Sequence, residues 1–446
     1  MVPAVVLPLA GWMLSAALPV IRDDFGLNAD VAAWIATAFS LPFMIFMPVY
    51  GRISDGLGKR RLLIGGITIF VLGSIIALFA LNLPMLLVGR AVQGFGVAGL
   101  VPLSLALITE TFPAGVRGRA MGMWGTIGPL TGVIGPVLAG FIVAAWGWRS
   151  AFVPPLLAAA VGIGVIYWMI PSSGSAIDPS FLRRFDWPGV ALLSLTLTFL
   201  LFYLSSRPIT GVAPLQDWRL LGLTLLFLAA FVRHENRREN AFLKLRILGY
   251  RQLVIASTAA MLRMMGLSGG LSFLMPLYLA DVVQLTSTQT GFYLMLNPMA
   301  MVLVVRRAGS LSDRWGSRNS VMVGFSIVAA VMLAFSRLST TPPQWLILLL
   351  LAVFGVGTGL MLASLHRAAL NVIPEADLGT SSGIYSMIRF LGSAFGAAVG
   401  GILLQFYFDL ADVSVLVAYQ NTFLWFVGFA ALGAVTAVFL NKNNAA

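Results

Sequence analysis

Long apolar segments constrain this chain more than any other feature of its sequence. A membrane-crossing helix needs about 20 mostly apolar residues, because each residue adds about 1.5 Å of rise. The pattern predicts an all-α membrane protein with 14 transmembrane helices, the weakest being the short segment 218–232. The fourteen segments lie near residues 3–21, 31–50, 62–82, 84–109, 120–145, 151–170, 188–206, 218–232, 252–279, 289–308, 319–336, 344–366, 380–407 and 421–440.

The composition excludes a soluble protein. Hydrophobic residues make up 59% of the chain and charged residues 10%, with a mean hydropathy of +0.94, whereas a soluble surface needs about a quarter of its residues charged. The net charge of +12 is spread over short clusters between apolar segments. We therefore expect a lipid bilayer, and no nucleic acid, as partner. With no cysteine and two histidines, no metal or cofactor is predicted. The sequence also lacks a catalytic constellation and a P-loop, so neither an enzyme nor an ATP-driven pump is expected.

Lysine and arginine are distributed unequally between alternate loops. Basic clusters such as 52–61, 233–251 and 306–318 follow even-numbered spans, while the other loops hold isolated arginines. Because basic loops stay in the cytoplasm, both termini are predicted to be cytoplasmic. The segment 233–251 mixes basic and apolar residues, which is typical of an amphipathic helix on the inner leaflet. An ordinary charged linker explains the same segment equally well.

The chain contains an internal repeat. The segment GRISDGLGKRRLLIGG at 51–66 recurs as GSLSDRWGSRNSVMVG at 309–324, an offset of 258. Glycine and proline positions between 94 and 122 recur between 355 and 383 at an offset of 261. Parallel repeats with a binding site between them are a transporter architecture. We predict an N-terminal six-helix bundle at 1–171, two extra helices with a cytoplasmic amphipathic linker at 172–251, and a C-terminal six-helix bundle at 252–446.

Both copies of the repeated loop contain the parts of a conformational latch. Their glycines permit a tight turn, and their acidic and basic side chains can pair in one conformation and separate in another. A static turn whose charges set the topology is the alternative. The predicted latch residues are Gly51, Asp55, Gly58, Arg60, Arg119, Asp313, Gly316 and Arg318.

Several motifs together resemble the major facilitator superfamily. The loop at 51–61 resembles its signature G-x-L-a-D-r-x-G-r-r, and 87–99 resembles its fourth-helix motif. The segment 131–142 resembles the fifth-helix antiporter motif and retains Gly135, Pro136 and Gly140. The FDWPG at 185–189, before an extra helix pair, resembles the 14-helix drug:proton antiporter branch.

The resemblance implies a major facilitator fold of two six-helix bundles plus two linking helices, working as a monomer in a bacterial-type plasma (inner) membrane. It implies multidrug efflux, in which a small-molecule substrate is exchanged for protons by alternating access. Arg90 occupies a position that the family ties to proton coupling, and Glu110 near the end of the fourth span is a second candidate. The antiporter motif is implied to limit leak, while a simple packing kink is its alternative.

Three arginines, Arg90, Arg263 and Arg389, lie inside apolar spans. A charge at the centre of a bilayer costs about 3 kcal/mol or more, so such residues are functional candidates. Capping of carbonyls at helix breaks is the alternative. The branch usually has an aspartate where this chain has Ala10, and no carboxylate lies deep in any span. This favours anionic or amphiphilic substrates over cations.

These considerations predict a secondary active exporter of lipophilic or amphiphilic small molecules, working by proton antiport. A lipid or organic-anion exporter or flippase that uses the intramembrane arginines is one alternative. A non-transporting membrane sensor with the same fold is another. The predicted substrate-binding residues are Trp12, Ser15, Trp34, Thr37, Gln93, Trp124, Arg263, Phe292, Asn297, Tyr385 and Arg389.

Overall fold

The computed structural model describes residues 2–170, 185–205, 210–238, 243, 245–371 and 373–441, and this part of the chain is all-α. The predicted fold class, an all-α membrane protein, is confirmed. Fourteen helices correspond to the predicted spans: α1 Pro3–Asp24, α2 Ala29–Ser54, α3 Lys59–Leu78, α4 Leu83–Thr111, α5 Met123–Trp146, α6 Trp148–Met169, α7 Trp187–Leu204, α8 Trp218–Arg237, α9 Arg251–Asp281, α10 Ser287–Val305, α11 Arg314–Phe335, α12 Gln344–Leu370, α13 Ser381–Phe408 and α14 Val415–Val438.

Thirteen helices of the described part are long and apolar enough to cross a membrane. The helix outside that set is α8, which is 20 residues long but ends in the polar sequence HENR. Its apolar part is the segment 218–232, the weakest of the predicted spans. The last turn, from Arg233 to Arg237, therefore extends beyond the predicted span.

Helix interruptions fall at glycines and prolines, where side-chain bulk or a backbone hydrogen bond is missing. The fourth span consists of two helices, Leu83–Val97 and Leu100–Thr111. The ninth span contains a π-helical stretch, Gly266–Leu274, in the glycine-rich sequence GLSGGLSFL. Such stretches occur frequently at functional sites, and this one begins three residues after Arg263.

The two repeats share backbone geometry as well as sequence. The turn glycines Gly58 and Gly316 have φ values of +81° and +78°, which L side chains rarely adopt. A Cβ on Gly94 would lie 2.0 Å from the Phe39 carbonyl oxygen, and one on Gly355 would lie 2.2 Å from that of Asn297. Residues 39 and 297 are themselves separated by the repeat offset of 258. The same helix pair in each repeat is therefore packed backbone against backbone at the same place.

Contacts group the chain into two compact units, and each unit combines segments that are separate in the sequence. The first unit consists of Met1–Ala10, Ala38–Gly128 and Phe152–Ile247. The second consists of Gly11–Thr37, Pro129–Ala151 and Leu248–Ala446. The second unit thus contains segments of α1, α2 and α5 as well as the second repeat. This grouping follows contacts and not the repeat, and the ranges 1–171, 172–251 and 252–446 stay predictions.

Helices α7 and α8 form the linking pair. Asp186 caps α7 by accepting a hydrogen bond of 3.1 Å from the Gly189 amide, and the rings of Phe199 and Phe227 stack at 5.4 Å between the two helices. After α8, residues Leu245–Gly249 form a 3-10 turn. Residues 239–242 and 244 lie outside the described part, so the amphipathic linker stays a prediction.

Candidate substrate-binding site

A buried polar network lies inside the first unit, around Arg90 of α4. One Arg90 guanidinium nitrogen donates to Gln93 Oε1 at 2.7 Å, and Gln93 Nε2 donates to Ser74 Oγ of α3 at 2.8 Å. The guanidinium carbon of Arg90 lies 4.4 Å from the centre of the Phe39 ring. Arg90 is 2% exposed and Gln93 is fully buried. Two predicted residues, Arg90 and Gln93, are thus brought together, and polar and aromatic groups satisfy the buried charge.

The second unit contains a different group of polar side chains, which we call the cationic site: Arg263, His366, Tyr385 and Arg389. Arg263 and Tyr385 are buried, and His366 and Arg389 are half-buried. Arg263 of α9 is 4% exposed. Its Nε donates to the Thr358 carbonyl of α12 at 3.1 Å, and one terminal nitrogen lies 3.8 Å from the Met264 sulfur. Both acceptors are uncharged, and sulfur is a weak acceptor.

Arg389 and Tyr385 reach the cationic site from α13. Arg263, Arg389 and Tyr385 lie within electrostatic range of one another, and His366 lies within range of both arginines. The rings of His366 and Tyr385 meet edge to face at 4.7 Å. Arg389 lies over the Phe390 ring at 4.4 Å, and its Nε has no hydrogen-bond partner among the described residues. Three helices thus supply two arginines, one histidine and one tyrosine to a single site.

Asn297 of α10 is a second polar group without partners near these helices. It is fully buried, and neither atom of its side-chain amide has a hydrogen-bond partner in the described part of the chain. Its backbone packs on Gly355, one turn of α12 before Thr358. A buried polar side chain without a hydrogen-bond partner is uncommon in folded proteins and calls for an explanation.

The remaining predicted substrate-binding residues occupy separate positions. Ser15 donates to the Ser272 carbonyl at 2.6 Å, and Thr37 donates to the Ala33 carbonyl of its own helix. Trp12 lies against Gly132, where a Cβ would be 2.8 Å from its indole nitrogen. Ser15, Thr37 and Trp12 thus have different partners, and three predicted residues remain. Trp34 is buried, Trp124 has an indole nitrogen without a hydrogen-bond partner among the described residues, and Phe292 is 41% exposed against Phe141.

An ion-pair cluster that the sequence did not single out lies at the end of α1 that is predicted to face outward. We call Arg22, Asp281 and Tyr419 the Asp281 cluster. The two terminal nitrogens of Arg22 donate to the two oxygens of Asp281, both at 2.6 Å, and the Tyr419 hydroxyl donates to the same carboxylate at 2.5 Å. The Arg22 and Asp281 side chains are 14% and 17% exposed. Bidentate pairs of this kind are the strong ones.

Close backbone contacts accompany the Asp281 cluster within the second unit. A Cβ on Gly140 of α5 would lie 2.6 Å from the Ser287 carbonyl oxygen, and one on Gly291 of α10 would lie 2.3 Å from that of Pro136. Thr288 Oγ1 donates to the Gly140 carbonyl at 3.3 Å. The predicted antiporter motif therefore packs directly on the start of α10. Gly135, its third member, is buried in α5.

The predicted latch is described only in part. The side chains of Asp55, Arg119 and Asp313 lie outside the described residues. Gly51 packs near Pro102 at 3.8 Å, and Arg60 donates to the Tyr167 carbonyl at 2.7 Å and lies over its ring. Gly58 and Gly316 form the two turns, and Arg318 follows the second, half-buried. Whether the charged members pair stays a prediction.

Glu110, the second candidate for proton coupling, lies at the surface. Its carboxylate forms an ion pair with Lys59 at 2.5 Å, and its side chain is 58% exposed. Exposed pairs of this type contribute little to stability. The Glu110 side chain is thus largely open to solvent, and its part in coupling rests on the sequence alone.

Helices that span a membrane, a duplicated architecture and buried cations define a polytopic membrane transporter. The family profile of the Major Facilitator Superfamily matches residues 4–397 and 256–445. The chain belongs to the Major Facilitator Superfamily, as its motifs predicted, and it is a transporter and not an enzyme.

Curated relatives agree with this assignment, and a solved structure shares the fold. The chain is 28% identical over 395 residues to the riboflavin transporter RibZ of Clostridioides difficile (strain 630), covering 87% of this chain and 83% of the relative. It is 30% identical over 397 residues to a multidrug resistance protein B homolog of Mycobacterium tuberculosis (strain ATCC 25618 / H37Rv), covering 87% and 72%. A chain from a study of substrate recognition in proton-dependent oligopeptide transporters superposes with a TM-score of 0.66 at 16% identity, covering 98% of this chain and 97% of the other.

Proposed function

We propose that this transporter exports lipophilic or amphiphilic small molecules by alternating access, driven by protons that enter in exchange. Multidrug resistance relatives support the substrate class. The riboflavin transporter among the relatives extends it to aromatic, partly polar molecules. The multidrug resistance relatives also support the direction, which is export.

The observation that carries this proposal is the Asp281 cluster. Arg22 belongs to α1 of the first repeat, and Asp281 belongs to α9 of the second, so their ion pair ties the repeats together at the predicted outer end. An alternating-access transporter needs contacts that form in one state and break in the other. A bidentate ion pair that is partly open to solvent fits this requirement.

Asp281 also supplies a carboxylate that a proton can occupy. When Arg22 moves away with α1, the negative charge of Asp281 needs another partner, and a proton from the outer side balances it. In this proposal, Asp281 takes up a proton from the outer side as the ion pair opens, and the proton leaves toward the cytoplasm before Arg22 pairs with Asp281 again. Asp281 would thus provide the carboxylate that the related branch has at the position of Ala10.

The test uses purified protein in liposomes with an imposed pH gradient and an internal pH dye. Ethidium, riboflavin and an anionic amphiphile are added separately, with empty liposomes as control. We expect protein-dependent proton flux with at least one compound, and a loss of ten-fold or more in Asp281→Asn. The matched control is Asp412→Asn, because Asp412 is an exposed carboxylate. Downhill exchange of substrate without a gradient should survive in Asp281→Asn, since that reaction needs no proton.

Three outcomes contradict parts of the proposal. Unchanged proton flux in Asp281→Asn, together with a loss in Glu110→Gln, moves the coupling role to Glu110. Substrate flux without proton flux rejects antiport. Binding without any flux, in gradients of either direction, favours the non-transporting sensor.

A second candidate function is the export of lipids or organic anions. The cationic site favours it, because two arginines in an apolar helix bundle attract a negatively charged group. This candidate shares the transport cycle with the first and differs in the charge of the cargo.

A further inference from the structure

The cationic site has an excess of hydrogen-bond donors and positive charge. Arginine presents five N–H donors and stays charged in proteins. Among the described residues, the hydrogen bonds of Arg263 go to one carbonyl and one thioether, and Arg389 Nε has no partner. No aspartate or glutamate of the described part interacts electrostatically with Arg263, His366, Tyr385 or Arg389. Among the described residues, the site therefore has few hydrogen-bond acceptors and no negatively charged one.

Two other arginines, Arg22 of α1 and Arg90 of α4, have different partners. Arg22 has a carboxylate on its two terminal nitrogens, and Arg90 has a side-chain amide oxygen and an aromatic face. Arg263 instead lies within electrostatic range of Arg389, and like charges in a low-dielectric interior repel strongly. A negatively charged group bound beside both arginines would offset this repulsion.

Apolar surface surrounds the charged groups. The Phe390 ring lies under Arg389 at 4.4 Å, the Met264 side chain touches Arg263, and the His366 and Tyr385 rings meet edge to face. The π-helical stretch Gly266–Leu274 begins three residues after Arg263. A ligand that matched both the positive charge of the arginines and the apolar surface around them would have an anionic head and an aromatic or aliphatic body.

We propose that Arg263 and Arg389 bind the anionic oxygen group of an amphiphilic substrate, a carboxylate, sulfonate or phosphate, with Tyr385 donating a further hydrogen bond. This inference rests on the proposed function and names the charge of its cargo. It gives the protein a preference for anions, in place of the cations that an acidic cavity would select. Arg263 and Arg389 are binding residues in this proposal, and His366 positions the Tyr385 ring.

Three probes with one body and different heads test the proposal. Pyrenebutyrate is the anion, pyrenebutanol is the neutral analogue and pyrenebutyl-trimethylammonium is the cation. Binding is measured with purified full-length protein in a neutral detergent, by equilibrium dialysis without any gradient. We expect pyrenebutyrate to bind at least ten-fold more tightly than pyrenebutanol, and the cation to bind most weakly. Equal affinities for the three heads would overturn the proposal.

Charge-removing and charge-keeping variants localise the effect. In Arg263→Gln and Arg389→Gln, the preference for pyrenebutyrate over pyrenebutanol should fall to three-fold or less, while pyrenebutanol binds as before. Arg263→Lys and Arg389→Lys keep the charge and should keep most of the preference, which guards against variants that fold poorly. The matched control is Arg337→Gln, because Arg337 is exposed at the end of α11. A full preference retained in the double variant Arg263→Gln/Arg389→Gln would place the anion elsewhere and reject the site.

A final arm separates the two sources of such an anion. The binding of pyrenebutyrate is repeated in nanodiscs of phosphatidylcholine, with and without phosphatidylglycerol. Competition by phosphatidylglycerol that disappears in Arg263→Gln identifies a lipid headgroup as the ligand, whereas no competition identifies a free organic anion. Because none of these measurements needs transport, a failure of proton-driven export leaves the binding result intact. Export without anion preference would reject only the inference about charge.

Discussion

The two repeats have the same backbone packing and different buried charges. In the first, Gly94 packs on the Phe39 carbonyl, and in the second, Gly355 packs on the Asn297 carbonyl, at the same offsets that relate the sequences. The turns at Gly58 and Gly316 have nearly the same φ. Two helix backbones approach this closely only where a glycine has no side chain, so the glycines shared by both repeats maintain the same helix packing in each.

The polar residues follow no such symmetry. At the repeat offsets, Arg90, Gln93 and Ser74 correspond to Leu351, Phe354 and Met332, so the buried network of the first repeat is replaced by apolar side chains. Conversely, Arg263 and Arg389 correspond to Val5 and Gly128. The comparison shows that a symmetric scaffold holds two unlike sites. In the first repeat the buried polar side chains form hydrogen bonds with one another, whereas in the second the cationic site has few hydrogen-bond acceptors among the described residues.

The largest expected effect is on the shared scaffold. We expect Gly94→Ala and Gly355→Ala each to destabilise the protein by about 3 kcal/mol, the upper end for overpacking. The new Cβ would lie 2.0 Å and 2.2 Å from a backbone carbonyl oxygen, and backbone cannot move aside as a side chain can. Unfolding temperatures of the purified variants, followed by tryptophan fluorescence, measure the effect.

Two glycines with open surroundings serve as controls for the scaffold prediction. Gly65 of α3 and Gly428 of α14 have no heavy atom within 4 Å of the Cβ position. Gly65→Ala and Gly428→Ala should be neutral or slightly stabilising, by up to about 1 kcal/mol, because alanine favours the helix. A large effect in only one of Gly94→Ala and Gly355→Ala would show that the repeats do not share this packing.

The next effect concerns the polar network of the first repeat. Gln93→Leu should destabilise by about 2 kcal/mol, because it removes the acceptor of a buried guanidinium and the donor to Ser74. Arg90→Leu/Gln93→Leu should recover part of that loss, since the second repeat folds with Leu351 and Phe354 in these places. The unfolding temperatures of the single and double variants form a double-mutant cycle.

Transport measurements on the same variants distinguish a structural role of Arg90 and Gln93 from a functional one. If Arg90 contributes to proton coupling, the double variant should be folded and unable to couple proton flux to export. Strictly additive destabilisation, or normal coupling in the double variant, would mean that the network is neither cooperative nor functional. The matched variant of the second repeat is Phe354→Leu, which exchanges one apolar side chain for another and should cost less than about 1.5 kcal/mol.

A smaller effect is expected at the two turns. Gly58→Ala and Gly316→Ala place a Cβ on a backbone with φ of +81° and +78°, which costs on the order of 1–2 kcal/mol. Because both turns have this conformation, the two losses should agree within about 0.5 kcal/mol in thermal unfolding. Gly51→Ala is the control, because only Pro102 lies near its Cβ position, at 3.8 Å. Unequal losses at the two turns would indicate that one loop relaxes and the other does not.

The sequence predicted the scaffold well, because apolar length and glycine spacing are local properties. The prediction was least accurate at α8, because only residues 218–232 are apolar and the helix continues through polar residues to Arg237. It also singled out the buried arginines, since a charge within an apolar run is visible without a structure. It could not predict their surroundings, because the partners of Arg263 and Arg389 come from helices about a hundred residues apart.

The Asp281 cluster shows the same limit from the other side. Arg22 and Asp281 are 259 residues apart, and each resembles an ordinary loop charge. The predicted orientation, which places both at outer ends, was the one signal that could have paired them. Glu110 is the converse case: its sequence position suggested coupling, and the structure places it on the surface. Long-range pairing of charges depends on helix arrangement, which hydropathy does not determine.

The smallest expected effect concerns the linking helices α7 and α8, which belong to neither repeat. Glu235, beyond the span of α8, is 4% exposed, and one of its oxygens has no partner among the described residues. Burial, with the nearby charge of Asp186, raises its pKa to about 7 from an ordinary value of 4.5. Its other oxygen accepts from the Leu243 amide at 3.0 Å, while His234 pairs with Asp186 at 2.8 Å.

This raised pKa predicts that stability declines as pH rises. Below about pH 4.5 the carboxyl is protonated in both the folded and the unfolded chain. Between 4.5 and about 7 only the folded chain keeps the proton, so stability falls across this window, and above it a charged carboxylate is buried. Glu235→Gln should remove this slope and raise the unfolding temperature at pH 8 by the equivalent of about 1 kcal/mol, whereas Asp412→Asn, at an exposed position, should leave the slope unchanged. If Glu235→Gln lowers the unfolding temperature equally at pH 5 and pH 8, the carboxylate is a charged partner of Arg52 and His234 at both pH values, and the linking pair is held by the same kind of satisfied ion pair as the Asp281 cluster.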